Sequence, residues 1–229
     1  MDIDKTINIK KRILRDLELR GFFFRDNVKK AFLETDRANF VPPPQINRAY
    51  IDTPLPIGYG QTISAIHMVL MMISKETGDP LPGDHVLEIG TGSGYNAAIL
   101  SRAVDPNGEN KGLVVSYERI FDLIINAKQN LEKEGLFPNL YLICGDGSNA
   151  MFKKEIFDLI IVTAASPQIP PPLIDILKVG GRIVIPVGSR YIQSLVTAKK
   201  KEDGTLEQRK EFGVMFVPLI GKHGFKNRL

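Results

Sequence analysis

Val86-Leu87-Glu88-Ile89-Gly90-Thr91-Gly92-Ser93-Gly94-Tyr95 decides the fold, because an apolar run of strand character leads directly into three glycines at alternate positions. Glycine lets backbone approach a ligand that a side chain would block. Behind the turn, residues Asn96 to Ala103 have helical composition, so the turn also offers the unpaired amides of a helix N-terminus, which favour carboxylates and phosphates. An ordinary strand-to-helix turn has the same outline.

Further along the chain, the strand pattern repeats. Leu113 to Tyr117 is apolar and rich in β-branched residues and leads to Glu118-Arg119, where a carboxylate could hold a ribose diol or favour the N-terminus of the next helix. Ile120, Leu123, Ile124, Ala127 and Leu131 keep one helical face through Glu134. A third strand, Leu140 to Cys144, ends in Gly145-Asp146-Gly147-Ser148. Asp146 could accept from an exocyclic amine, although Asp-Gly is also a common turn pair. With predicted strands at 157–163 and 182–187, the alternation indicates a parallel α/β sheet, which binds ligands at the carboxyl ends of its strands.

A dinucleotide fingerprint places its third glycine where this chain has Tyr95. The glycines at 90, 92 and 94 instead resemble the turn of class I methyltransferases, which wraps the aminoacyl end of S-adenosylmethionine. The expected fold is therefore a Rossmann-like α/β unit with a mostly parallel sheet. Residues 1–84 form an N-terminal helical cap and covering arm, 85–190 the cofactor-binding core, and 191–229 antiparallel strands that complete the sheet. Ile9, Ile13 and Leu17 mark one cap helix, and Val28, Phe32 and Leu33 a second. The five prolines between Asn39 and Pro56 predict an extended, packed arm. A helix is expected from Ser64 to about Glu76, with Ser64 as its N-cap. The final strands are expected at Gln193 to Lys199 and Phe212 to Val217, joined across Asp203-Gly204.

At 229 residues and 43% hydrophobic content, the chain can bury a full core. No segment approaches the ~20 apolar residues of a membrane span, so no membrane partner and a cytoplasmic location are expected. Cys144 is the single cysteine and, in a predicted central strand, is expected to be buried. His67, His85 and His223 lack metal-ligand spacing, and no metal is expected. The net charge of +4 permits an anionic partner, but Lys199-Lys200-Lys201 reads as a solvated loop, and nucleic acid is not expected.

Pro54-Leu55-Pro56-Ile57-Gly58-Tyr59-Gly60-Gln61-Thr62-Ile63-Ser64, together with Phe40-Val41-Pro42, Ala49-Tyr50-x-Asp52, Val86 to Tyr95, Gly145-Asp146-Gly147, Val162-Thr163-Ala164-Ala165, Pro186-Val187-Gly188 and Phe216-Val217-Pro218-Leu219, resembles the protein-L-isoaspartate (D-aspartate) O-methyltransferase family. The resemblance spans about Arg37 to Leu219. It departs at Ile66, where the family usually has proline, and in the aromatic run Phe22-Phe23-Phe24.

The resemblance implies methyl esterification of the α-carboxylate of L-isoaspartyl residues in damaged peptides and proteins, with repair through a succinimide. It implies Ser64 as catalytic residue. The cofactor S-adenosyl-L-methionine would be held by Thr62, Ile63, Ser64, His67, Glu88, Gly90, Thr91, Gly92, Ser93, Gly94, Glu118, Arg119, Asp146 and Gly147. The peptide would be held by Ile57, Gly58, Val162, Thr163 and Ala164. A monomer is expected. The competing readings are a tRNA adenine methyltransferase, a nicotinamide-dependent oxidoreductase and a noncatalytic adenosyl-binding module.

Overall fold

A computed structural model describes residues 3–109 and 111–226; residues 1, 2, 110 and 227–229, which fall within the three predicted segments, lie outside it. Among the described residues, seven strands form one sheet: β3 (His85–Ile89), β4 (Leu113–Glu118), β5 (Leu140–Cys144), β6 (Phe157–Val162), β7 (Leu177–Gly188), β8 (Gln193–Lys200) and β9 (Leu206–Val214). Their order is β5-β4-β3-β6-β7-β8-β9. β3 to β7 are parallel, and β8 and β9 are antiparallel. The chain steps from β3 outward to β5, then returns to the other side of β3 as β6. That reversal opens a crevice at the carboxyl end of β3, where the glycine turn lies.

Strand alternation divides the interior into two cores. Val86, Val114, Leu159 and Ile161 face α4 (Tyr95–Val104) and α5 (Phe121–Glu134), together with the N-terminal helices α1 (Ile3–Leu19) and α2 (Asp26–Glu34). Leu87, Val115, Ile160 and Ile183 face the opposite way, onto α6 (Pro171–Ile176). The predicted cap faces are used: Ile13, Leu17, Val28 and Phe32 are buried in the first core, and α2 packs on α4.

Several expectations need correction. The proline-rich arm is not simply extended. It forms short 3-10 turns at Arg37–Phe40 and Pro43–Arg48 and a hairpin of β1 (Leu55–Gly58) and β2 (Gln61–Ile63). Proline is tolerated in a first helical turn and on a two-stranded edge, and Tyr59 and Gly60 both take the positive φ that a tight hairpin requires. The next helix, α3, is only Ile66–Met72, and its N-cap position is Ala65, so Ser64 does not cap it. Asp52 accepts from the His67 backbone amide at 2.9 Å instead.

β9 runs from Leu206 rather than from Phe212. Its charged run Glu207-Gln208-Arg209-Lys210-Glu211 forms a solvated outer strand of the kind that protects a sheet edge. β7 begins at Leu177 rather than at residue 182, running through Gly180-Gly181. Cys144 is exposed rather than buried, because β5 is the edge strand of the parallel half. No helix among the described residues is long and apolar enough to cross a membrane.

Candidate active site

Two cavities border the glycine turn and a third adjoins them, and Thr62 and Thr163 line all three. The first lies over the ends of β3, β4 and β5, between Gly90, Gly92, Glu118, Arg119 and Gly147, and is covered by Val217 to Ile220. The second is enclosed by Ile63, Ser64, residues 90–93, Tyr95 and Asn96. The third is an open groove of about 570 Å³ bordered by Pro54, Ser64, His67, Met68, Arg190 and residues 213–217. Ser64 therefore stands between the second cavity and the groove.

Gly90 and Gly147 of the first cavity pack too closely on neighbouring residues to carry side chains. A Cβ on Gly90 would lie 2.3 Å from Thr163 Oγ1, and one on Gly147 would lie 2.5 Å from Ile89 Cγ2. Thr163 Oγ1 donates to the carbonyls of Gly90 (2.8 Å) and Ile89 (3.1 Å), which locks the turn to β6. Glu118 is buried; its Oε2 accepts from the Gly92 amide and its Oε1 from the Ile120 amide, each at 3.0 Å. Each oxygen retains acceptor capacity toward a ligand hydroxyl.

Glu88 sits behind the turn rather than on a cavity wall. Asn96 Nδ2 donates to its Oε1 at 2.7 Å, and Ser116 Oγ donates to its Oε2. Thr91 Oγ1 and Ser116 Oγ are 2.6 Å apart. This chain ties turn, helix and two strands together, and burial pushes the Glu88 carboxyl up to about 7 against these hydrogen bonds. Gly94 also contacts protein, packing toward Ala127 and Leu131 of α5.

Asp146 differs from the expectation as well. Its Oδ1 accepts from the amide and hydroxyl of Ser148, and its Oδ2 from the Lys222 amide at 2.7 Å. The carboxylate thus holds the C-terminal segment against β5, while Gly145 and Gly147 line the cavity. The turn chemistry of Asp-Gly, reinforced by a contact 76 residues away, sets its direction.

Of the predicted peptide residues, Thr163 borders the groove and Ala164 the first cavity. Val162 is fully buried within β6, where alternation turns it into the second core. Ile57 is buried over Gly92 and lines a separate cavity with Phe40 to Pro43. Gly58 is an exposed hairpin residue. His67 belongs to the groove: its Nδ1 lies 2.9 Å from both Asp52 oxygens. Burial raises the Asp52 carboxyl, but the His67 hydrogen bonds outweigh it and hold the group below its ordinary value.

Ser64 is placed from behind. Arg37, fully buried, donates through Nη2 to the Ser64 carbonyl at 2.8 Å and through Nη1 to the Ala49 carbonyl at 2.7 Å. Burial lowers the guanidinium's affinity for its proton. The Ser64 hydroxyl makes no hydrogen bond among the described residues. Sequence reasoning missed Asn96, whose buried Oδ1 has no partner among the described residues and whose side chain lines the second cavity. An apolar-faced helix start carries no local signal for such an acceptor.

The sequence profile of the family Protein-L-isoaspartate(D-aspartate) O-methyltransferase (PCMT) matches residues 8–224. The chain belongs to this family. It is 47% identical over 223 residues to the protein-L-isoaspartate O-methyltransferase of Staphylothermus marinus, covering 96% of this chain and 97% of the relative. It is 46% identical to the Pyrococcus horikoshii enzyme of the same name, covering 94% of each.

Among solved structures, a Plasmodium falciparum chain described as a protein-L-isoaspartate O-methyltransferase in complex with S-adenosyl-L-homocysteine superposes with a TM-score of 0.79 at 28% identity, covering 92% of this chain and 97% of that one. Another structure named protein-L-isoaspartate O-methyltransferase gives a TM-score of 0.80 at 32% identity, covering 94% of this chain and 67% of that one. The expected family and fold are both borne out.

Proposed function

We propose that this family member methylates the α-carboxylate of L-isoaspartyl residues in peptides and proteins, using S-adenosylmethionine, and so initiates their repair. The observation that carries the reading is the position of the Ser64 hydroxyl, unpartnered among the described residues, between the glycine-turn cavities and an open groove.

The cavities fit the cofactor chemically. Gly90 and Gly147 would present backbone to a base and ribose, the Glu118 oxygens would accept from ribose hydroxyls, and Asn96 Oδ1 would accept from an ammonium group. Thr62, Ile63, Thr91, Ser93 and Arg119 complete the walls. When bound, S-adenosylmethionine supplies an electrophilic methyl group on a positively charged sulfonium.

The acceptor carboxylate is already ionised near neutrality, so the chain need not provide a strong general base. Ser64 Oγ donates to that carboxylate and fixes its approach, while the Arg37 bond fixes Ser64. Met68, Val214 and Phe216 line the groove with apolar surface on which a bound peptide would displace water. Once the ester forms, the neighbouring peptide nitrogen displaces the alcohol to give a succinimide, and hydrolysis returns part of the chain to normal aspartyl linkage.

The test is transfer of labelled methyl to matched peptides containing L-isoaspartate or L-aspartate at one position. Base-labile label on the isoaspartyl peptide alone is expected. Label on RNA, or on neither peptide while the cofactor still binds, would overturn the proposal.

A further inference from the structure

Among the described residues, the groove outside Ser64 contains one permanently charged side chain, Arg190, in the loop joining β7 to β8. Its guanidinium lies 4.9 Å from the Phe225 ring centroid and donates to the Lys226 carbonyl. These neutral contacts orient the group without cancelling its charge, and no carboxylate pairs with it among the described residues. The loop has its own scaffold: the Ser189 amide donates to the Ile192 carbonyl at 2.9 Å, and Gln193 Nε2 donates to the Ser189 carbonyl at 2.7 Å. Beside it, Tyr191, Ile192 and Met215 expose 70%, 79% and 82% of their surfaces. An oriented cation within exposed apolar surface is suited to an extended anionic peptide.

The charge that Arg190 meets is not the acceptor itself. The acceptor carboxylate becomes a neutral ester, so a cation bonded to it would stabilise the ground state more than the transition state. Arg190 also lines only the outer groove, whereas Ser64 reaches the inner cavity. We infer that Arg190 is a specificity determinant that favours isoaspartyl substrates carrying an acidic side chain within a few residues of the damaged position. This inference rests on the proposed peptide-methylating function and adds a preference to it.

The experiment uses isoaspartyl peptides that differ only by Glu or Gln at one flanking position, scanned on both sides. Both methyl transfer and binding are read, the latter by fluorescence anisotropy with S-adenosylhomocysteine present. At the position facing Arg190, the Glu peptide is expected to bind about three- to tenfold more tightly, with the difference in KM and reduced by added salt. Arg190→Lys should retain the preference, Arg190→Gln should bring the Glu/Gln ratio to about one, and Arg190→Glu should invert it. Equal binding of all pairs by the wild type, or a preference that survives in Arg190→Gln, would overturn the inference. Discrimination in binding without methylation of any isoaspartyl peptide would instead overturn the catalytic reading and leave the Arg190 assignment standing.

Discussion

Replacing Ser64 by alanine removes a hydroxyl that has no partner among the described residues but keeps the Cβ and the carbonyl that Arg37 holds at 2.8 Å. Folding stability should therefore change by less than about 0.5 kcal/mol, as for substitutions that break no internal interaction. The lost hydrogen bond to the acceptor carboxylate is worth about 1.5–3 kcal/mol, which corresponds to an approximately 10- to 150-fold fall in kcat/KM. The loss has a ceiling for a physical reason. The acceptor gives up negative charge as it is methylated, so a donor to it positions the nucleophile and is not strengthened by the reaction. Initial rates over a range of isoaspartyl peptide concentrations, with cofactor affinity from titration calorimetry, would measure the effect. Unchanged kcat/KM would make Ser64 a bystander. A fall beyond about 10⁴-fold with fold and cofactor affinity intact would give it a direct chemical role and refute the positioning argument.

Glu118→Ala should weaken cofactor binding about 10- to 150-fold, because ribose acceptors and the Gly92 and Ile120 amide partners are lost together; peptide affinity should change less, and an equal loss for both ligands in calorimetry would contradict the assignment. Arg37→Met orphans the carbonyls of Ala49 and Ser64 and should destabilise the fold by on the order of 3 kcal/mol. Thermal unfolding should show this, and the residual folded enzyme should lose turnover more than cofactor affinity. Glu88 has a native pKa of about 7 against an ordinary 4.5, so its contribution to stability is fully present below pH 4.5 and is lost as pH rises through 7. By linkage, urea unfolding of wild type should lose up to about 3 kcal/mol relative to Glu88→Gln across that interval, and parallel pH profiles would refute the burial argument.

The sequence was most informative where local chemistry and ligand geometry coincide. β3, its glycine turn and Glu118 sit as the strand pattern predicts, because each depends on a few consecutive residues. Features set by distant contacts were hidden. Cys144 is exposed because strand order puts β5 at an edge, and Asp146 faces Lys222 because the C-terminal segment folds back over β5. Ser64 shows the same division: its motif drew attention to it, but only the structure reveals that Asp52 takes over the capping function and that the Ser64 hydroxyl has no partner among the described residues. The walls of the proposed peptide groove were only partly legible for a related reason. Strand alternation buries Val162, while the far wall is formed by Arg190 and residues 213–217, of which only Phe216 and Val217 belong to a motif.

The most direct test of the central claim follows one isoaspartyl peptide with the enzyme and S-adenosylmethionine, separating methyl ester, succinimide and aspartyl products over time by mass spectrometry and chromatography. The account predicts that ester forms first, succinimide accumulates as ester falls, and aspartyl peptide grows over repeated cycles, while a matched aspartyl peptide is never methylated. Ester on the aspartyl peptide, or no ester on either with the cofactor bound, would contradict it.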